Sequence, residues 1–124
     1  MDKILLDTDV IINILKKDKK YIDKFLKLSD SYIFYYNPIV LAEIYAGAFK
    51  KEISNIEQFF NRLENINICR YTGILAGKYA NQYKKVYNNI SLEDYLIAAN
   101  SKINSCIIWT NNKKHYPMDD IELI

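Results

Sequence analysis

Short apolar, β-branched runs alternate with longer stretches of helical periodicity from one end of this chain to the other, and few folds accept that order. Lys3–Asp7 reads as a strand apolar enough for burial on both faces, and Val10–Leu15 as a short helix. A charged break, Lys16–Lys20, precedes Tyr21–Leu28, whose apolar residues at 22, 25, 26 and 28 have amphipathic helical spacing. Ser31–Tyr36 is aromatic and β-branched, as a strand requires. Asn37-Pro38 is a helix start, with Asn as cap and Pro in the first turn. That helix runs to about Lys50 and is apolar almost all round. Ser54–Leu63 is a further helix, Asn65–Cys69 a strand, and Gly73–Tyr87 a helix striped by Leu75, Tyr79, Tyr83 and Val86. Ser91 caps a helix with Leu92, Tyr95, Leu96, Ala99 and Ile103 on one face. Cys106–Trp109 is a strand, Thr110–Tyr116 a polar loop ended by Pro117, and Ile121–Leu123 an edge strand.

Strands that alternate with helices predict an α/β fold, a central, mainly parallel sheet covered on both faces. In such sheets the ligand site lies beyond the carboxyl ends of the strands. Here that means just after Asp7, Tyr36 and Trp109.

The chain has 124 residues, half of them hydrophobic, which suits one domain over residues 1–124 and excludes a disordered chain. No apolar run approaches the roughly 18–20 residues of a membrane span, and Asp7 and Asp9 interrupt what could pass for a signal sequence. The two cysteines, Cys69 and Cys106, lie in apolar segments and read as buried core thiols of a cytoplasmic protein. Lys plus Arg is 17 against 15 for Asp plus Glu, a formal charge of +2. That is no footprint of a dedicated nucleic-acid binder, but the total says nothing of the distribution a nuclease needs.

Three carboxylates stand among residues that favour burial. Asp7 closes the first strand, Glu43 is the only charged residue from Pro38 to Phe49, and Asp94 opens the helix Tyr95-Leu96-Ile97-Ala98-Ala99. Each has a structural explanation: Asp7 as a turn residue, Asp94 as a helix-capping acid, Glu43 as the partner of a lysine such as Lys50. Brought together, they would repel one another, and a divalent cation removes that conflict. An all-oxygen ligand set suits Mg²⁺ or Mn²⁺. Asp7-Thr8-Asp9 also resembles the start of haloacid-dehalogenase-type phosphatases, where the first Asp is the nucleophile; Asp119-Asp120 is the acidic pair available for that chemistry beside Glu93-Asp94.

Four blocks in order resemble PIN-domain ribonucleases. They are Leu5-Leu6-Asp7-Thr8-Asp9-Val10-Ile11-Ile12, Leu41-Ala42-Glu43-Ile44-Tyr45-Ala46-Gly47-Ala48, Ser91-Leu92-Glu93-Asp94-Tyr95-Leu96-Ile97-Ala98-Ala99, and Trp109-Thr110-Asn111-Asn112-Lys113-Lys114-His115-Tyr116-Pro117. The last is similar to the family's Thr-Arg-Asn-x-x-x-Phe block. In length the chain resembles VapC-type toxins of bacterial type II toxin–antitoxin pairs. The resemblance implies a three-layer α/β/α fold and a Mg²⁺-dependent endoribonuclease, with Mn²⁺ as a substitute. Asp7, Glu43 and Asp94 would bind the metal, and Asn112 would stand at the fourth catalytic position. Thr8 and Thr110 would orient carboxylates. Asn111 stands where many relatives have Arg, so Lys113 or Lys114 would supply the cation that meets RNA. The resemblance also implies a small antitoxin over the acidic cleft, a homodimer and no membrane. The asparagines at 111 and 112 leave open a PIN-like module that binds RNA or protein without cutting. His115 reads as loop packing, Asp9 as a cap or turn residue, and Glu93 as solvent-facing beside the site.

Overall fold

The computed structural model describes residues 1–124. Five strands form one sheet: β1 (Asp2–Leu6), β2 (Tyr32–Tyr36), β3 (Glu64–Asn65), β4 (Cys106–Trp109) and β5 (Glu122–Leu123). Their order is β3-β2-β1-β4-β5, and every neighbouring pair is parallel. The helices are α1 (Thr8–Leu15), α2 (Lys19–Leu28), α3 (Pro38–Ala46), α4 (Ile53–Phe60), α5 (Arg70–Tyr83) and α6 (Leu92–Ile103). No helix is long and apolar enough to cross a membrane.

The central strand explains the layering. Ile4, Leu5 and Leu6 of β1 have no exposed surface, so both faces of the sheet are covered. The chain walks outward from β1 to β2 to β3, then returns past β1 to β4 and β5. Right-handed connections therefore put α1 to α4 on one face and α5 and α6 on the other. The packing agrees. Phe25 of α2 stacks on Phe34 of β2 at 4.2 Å between ring centroids, and Tyr21 on Trp109 of β4 at 6.3 Å. On the opposite side α6 lies between β4 and α5. Burying each of these apolar side chains contributes about 1.5–3 kcal/mol.

Several elements differ from the sequence reading, each for a local reason. The apolar helix ends at Ala46 rather than near Lys50. Gly47, a poor helix former, is its C-cap, and the Phe49 N–H is taken by the Glu52 carboxylate at 2.8 Å in a short 3₁₀ turn, Lys50–Glu52. The strand expected over Asn65–Cys69 is only Glu64–Asn65. Ile66 still donates to the Tyr36 carbonyl at 2.8 Å, but the Asn67 carbonyl is drawn to Asn100 and leaves the sheet. Cys69 is thus not a core thiol; it is exposed at the cap of α5, whereas Cys106 is buried. Helix α5 starts three residues early and ends before Val86, which is exposed. In α6 the expected face fails at both ends, since Leu92 and Ile103 are exposed. The helix instead buries Tyr95 and Ile97 to Ser101, being packed from two sides.

Candidate active site

β1 lies between β2 and β4, and the chain leaves β1 and β4 in opposite directions, so a crevice opens beyond their carboxyl ends. Asp7 stands in it as the first residue past β1. Its N–H continues the ladder to the Trp109 carbonyl at 3.0 Å, and its extended backbone caps α1. The residue is 6% exposed, and both carboxylate oxygens accept hydrogen bonds. Oδ1 accepts the Thr8 N–H at 2.8 Å, and Oδ2 accepts the Thr110 hydroxyl at 2.7 Å and the Tyr116 hydroxyl at 2.9 Å. Three donors, one from the start of α1 and two from the segment after β4, hold this side chain in one orientation.

Glu43 reaches the same crevice from α3. Its Oε1 accepts the Thr8 hydroxyl at 2.9 Å, so the N–H and the hydroxyl of one residue at the start of α1 touch two of the acids. The residue is exposed, contrary to the burial its apolar neighbours suggested. Those neighbours do not share its helix face: α3 buries only Val40 and Ile44, a narrow stripe. Nor does Glu43 pair with Lys50; the lysine–carboxylate pair of the chain is Lys19–Asp23. Loss of hydration raises the Glu43 pKa, the Thr8 hydrogen bond opposes this, and the charges of Asp7, Asp94 and Glu93 raise it further.

Asp94 sits in the first turn of α6. Its N–H donates to Ser91 Oγ at 3.1 Å while its own Oδ2 accepts the Ser91 N–H at 3.3 Å, a reciprocal cap. His115 Nδ1 lies 3.2 Å from the same oxygen. Burial raises the Asp94 pKa; the Ser91 hydrogen bonds and His115 ease it, and the charge of Asp7 adds to it. Asp7, Glu43 and Asp94 thus share one electrostatic environment. As the side chains stand, however, no three of the acidic, histidine or cysteine groups converge closely enough to hold one ion among them. Each acid is turned to its own partner instead: Asp7 to Thr110 and Tyr116, Glu43 to Thr8, Asp94 to Ser91 and His115.

The loop after β4 completes the crevice. The Asn112 N–H donates to Thr110 Oγ1 at 2.9 Å, fixing the hydroxyl that donates to Asp7. The Asn112 side-chain amide and the Asn111 N–H both donate to Asp9 Oδ2, each at 3.1 Å. Asp9 is therefore a half-buried fourth acid, not the helix cap, a position Asp7 holds. Burial and the Asp7 charge raise its pKa, and the Asn111 N–H counters them. Asn111, Asn112, Lys113 and Lys114 are exposed along the rim, and Glu93 is exposed beside Glu43. Tyr116, buried against Asp7, is a site residue that the sequence reading missed. The available signal was the hydroxyl it adds where the resembling block carries Phe. Its pKa lies well above the ordinary tyrosine value because of burial and the nearby acids. Asp119 and Asp120 lie elsewhere: they accept the Tyr83 and Tyr79 hydroxyls, and Asp120 lines a cavity with Asp2 at the start of β1. Asp119-Asp120 is thus at the opposite end of the sheet from Asp7, which leaves a phosphatase reading only Glu93-Asp94.

The family profile for the PIN domain matches residues 4–121, and the chain belongs to that family. No curated protein matches it in sequence. Among solved structures, the fold is similar to a chain of VapBC2 from Rickettsia felis bound to a promoter DNA fragment, at 24% identity and TM-score 0.87, covering 98% of this chain and 97% of that one. It is also similar to a chain of DNA-bound VapBC from Salmonella typhimurium, at 23% identity and TM-score 0.85, covering 100% and 98%. A chain of VapBC-1 from nontypeable Haemophilus influenzae aligns at 23% identity and TM-score 0.83, covering 98% and 96%.

Proposed function

We propose that this chain is a divalent-metal-dependent endoribonuclease, the toxin of a toxin–antitoxin pair, working in the cytoplasm. The observation that carries the reading is the fixed Asp7 carboxylate at the switch point of the sheet, with Glu43 and Asp94 close enough to shift in its field. Their all-oxygen chemistry fits Mg²⁺ or Mn²⁺, and the mutual repulsion is what such an ion relieves. Asp7, Glu43 and Asp94 would hold it, with Asn112 as a neutral fourth group. When bound, the ion polarises a phosphodiester and makes water nucleophilic near neutral pH.

The protein's own contribution is positioning. Thr110 and Tyr116 keep Asp7 from rotating, and Thr8 aims Glu43. Ser91 and His115 hold Asp94, and Asn112 and Asn111 hold Asp9. The similarity to chains of VapBC complexes supports an antitoxin as partner, a small protein in this reading, and the reading includes a homodimer of this chain. The test is cleavage of an end-labelled structured RNA by the purified, antitoxin-free chain. Cutting in Mg²⁺ that stops in EDTA is the expected result. Absence of cutting in both, by a folded sample that still binds RNA, favours the non-cleaving module.

A further inference from the structure

The loop that holds the acids on one side faces a second feature on the other. Residues 110–112 also line a cavity of about 620 Å³ between α2 and the end of β4, whose walls carry Lys20, Lys24, Lys113 and Lys114 and no acidic side chain. None of these lysines takes part in an ion pair. In a chain whose formal charge is only +2, four unpaired cations around one cavity are a local concentration that the overall composition does not explain.

The fold fixes one of them in place. Lys24 Nζ lies 4.9 Å from the centroid of the Trp109 ring, so its stem covers the indole and its ammonium sits at the cavity wall. Trp109 is itself buried in β4 and stacked on Tyr21, so the platform is rigid. Burial lowers the Lys24 pKa, and the charges of Lys113 and Lys20 lower it further.

We propose that this cavity is a backbone-phosphate subsite for single-stranded RNA, next to the phosphate at the acids, with Lys24 and Lys113 as its main contacts. Thr110 and Asn112 are shared by the cavity and the acidic crevice, so a strand with one phosphate at Asp7 has its neighbours within reach of the lysines. Lysine is a compact point charge that suits sequence-independent phosphate contact. Tyr21, half-buried in the wall, offers an aromatic surface for a base. The subsite also supplies a cation beside Asn111, where the resembling block has Arg. The neighbouring phosphate at the acids rests on the nuclease reading; binding at the lysines does not.

The test uses the full chain in EDTA, which prevents cutting, and a fluorescent single-stranded RNA octamer followed by anisotropy over a salt series. Lys24→Gln with Lys113→Gln is compared with Lys51→Gln with Lys78→Gln, which removes the same charge from exposed sites elsewhere. The first pair should weaken binding by about tenfold or more, since a charge-assisted hydrogen bond is worth on the order of tenfold. It should also flatten the salt slope by roughly 0.7 for each phosphate that the protein ceases to neutralise. Equal affinity and slope in the two double variants would overturn the subsite, as would no binding of the octamer by the wild type. Equal displacement of the octamer by hexaglutamate would overturn it too, marking a dock for an acidic protein segment. Unaltered octamer binding by the first double variant, alongside Mg²⁺-dependent cutting by wild type, would remove the subsite and leave the nuclease. Weakened binding without any cutting would do the reverse.

Discussion

Asp7→Asn should slow RNA cleavage by roughly 100- to 1000-fold, because the carboxylate provides charge that is worth several kcal/mol at a metal site and each 1.36 kcal/mol is tenfold in rate. Size is nearly conserved, so the loss reports charge and geometry rather than packing. An amide cannot reproduce the carboxylate's hydrogen bonds. With its NH₂ toward Thr110 and Tyr116, two donors face a donor; flipped, the NH₂ faces the Thr8 N–H. Glu43→Gln and Asp94→Asn should also slow cleavage, with less disturbance of the fold. Glutamine keeps an oxygen for the Thr8 hydroxyl, and asparagine keeps one for the Ser91 cap. Rates measured under single-turnover conditions, with circular dichroism to confirm folding, decide the matter. Cleavage by Asp7→Asn within twofold of wild type would remove these acids from the chemistry.

Asn37→Ala should destabilise the protein by about 2–4 kcal/mol, combining the removal of a cap with a buried partner left unsatisfied. Asn37 has no exposed surface. Its Oδ1 accepts the Val40 N–H at 2.9 Å and caps α3, while its Nδ2 donates to Asn100 Oδ1 of α6 at 2.9 Å. Asn100 in turn donates to the Asn67 carbonyl at 3.2 Å and accepts from Asn104 through its own carbonyl at 2.8 Å. One polar chain therefore ties α3, which carries Glu43, to α6, which carries Asp94. Asn37→Ser keeps a cap oxygen and gives up only the link to Asn100, so it should recover part of the stability. Chemical denaturation checks both variants; an Asn37→Ala midpoint equal to wild type would show that the network contributes nothing to stability.

The fold was legible because it rests on local periodicity. The strand at Lys3–Asp7, the Asn37-Pro38 start, the Ser91 cap and the strand Cys106–Trp109 follow from short-range rules of burial and capping, and the structure shifts their ends by a few residues at most. Where two surfaces pack on one element, periodicity misled. α6 is covered on two sides, so the expected face at Leu92 and Ile103 lies open. Burial inferred from neighbours also failed at Glu43, since helix neighbours in sequence lie on different faces.

The site was only partly legible, for a different reason. Asp7, Glu43 and Asp94 stood out as charges in apolar surroundings. Of their partners, Ser91 reads as a cap and Thr8 and Thr110 come only with the family resemblance; the rest of the network was hidden because its hydrogen bonds join distant parts of the chain: Tyr116 meets Asp7 across 109 residues, Asn112 meets Asp9 across 103, and Asn37 meets Asn100 across 63. No short-range pattern encodes a pairing at such separation. Cys69 shows the same limit, since the segment expected as a strand leaves the sheet after Ile66, where the Asn67 carbonyl accepts a hydrogen bond from the distant Asn100.

The measurement that bears most directly on the account is a calorimetric titration of Mn²⁺ into wild type and Asp7→Asn at pH 7. Binding to the wild type with affinity reduced at least tenfold in the variant is the predicted result, since even groups that only support a metal ligand cost about 10- to 100-fold. The same affinity in both proteins, or no binding to either, would contradict the assignment of Asp7, Glu43 and Asp94 as a divalent-cation site.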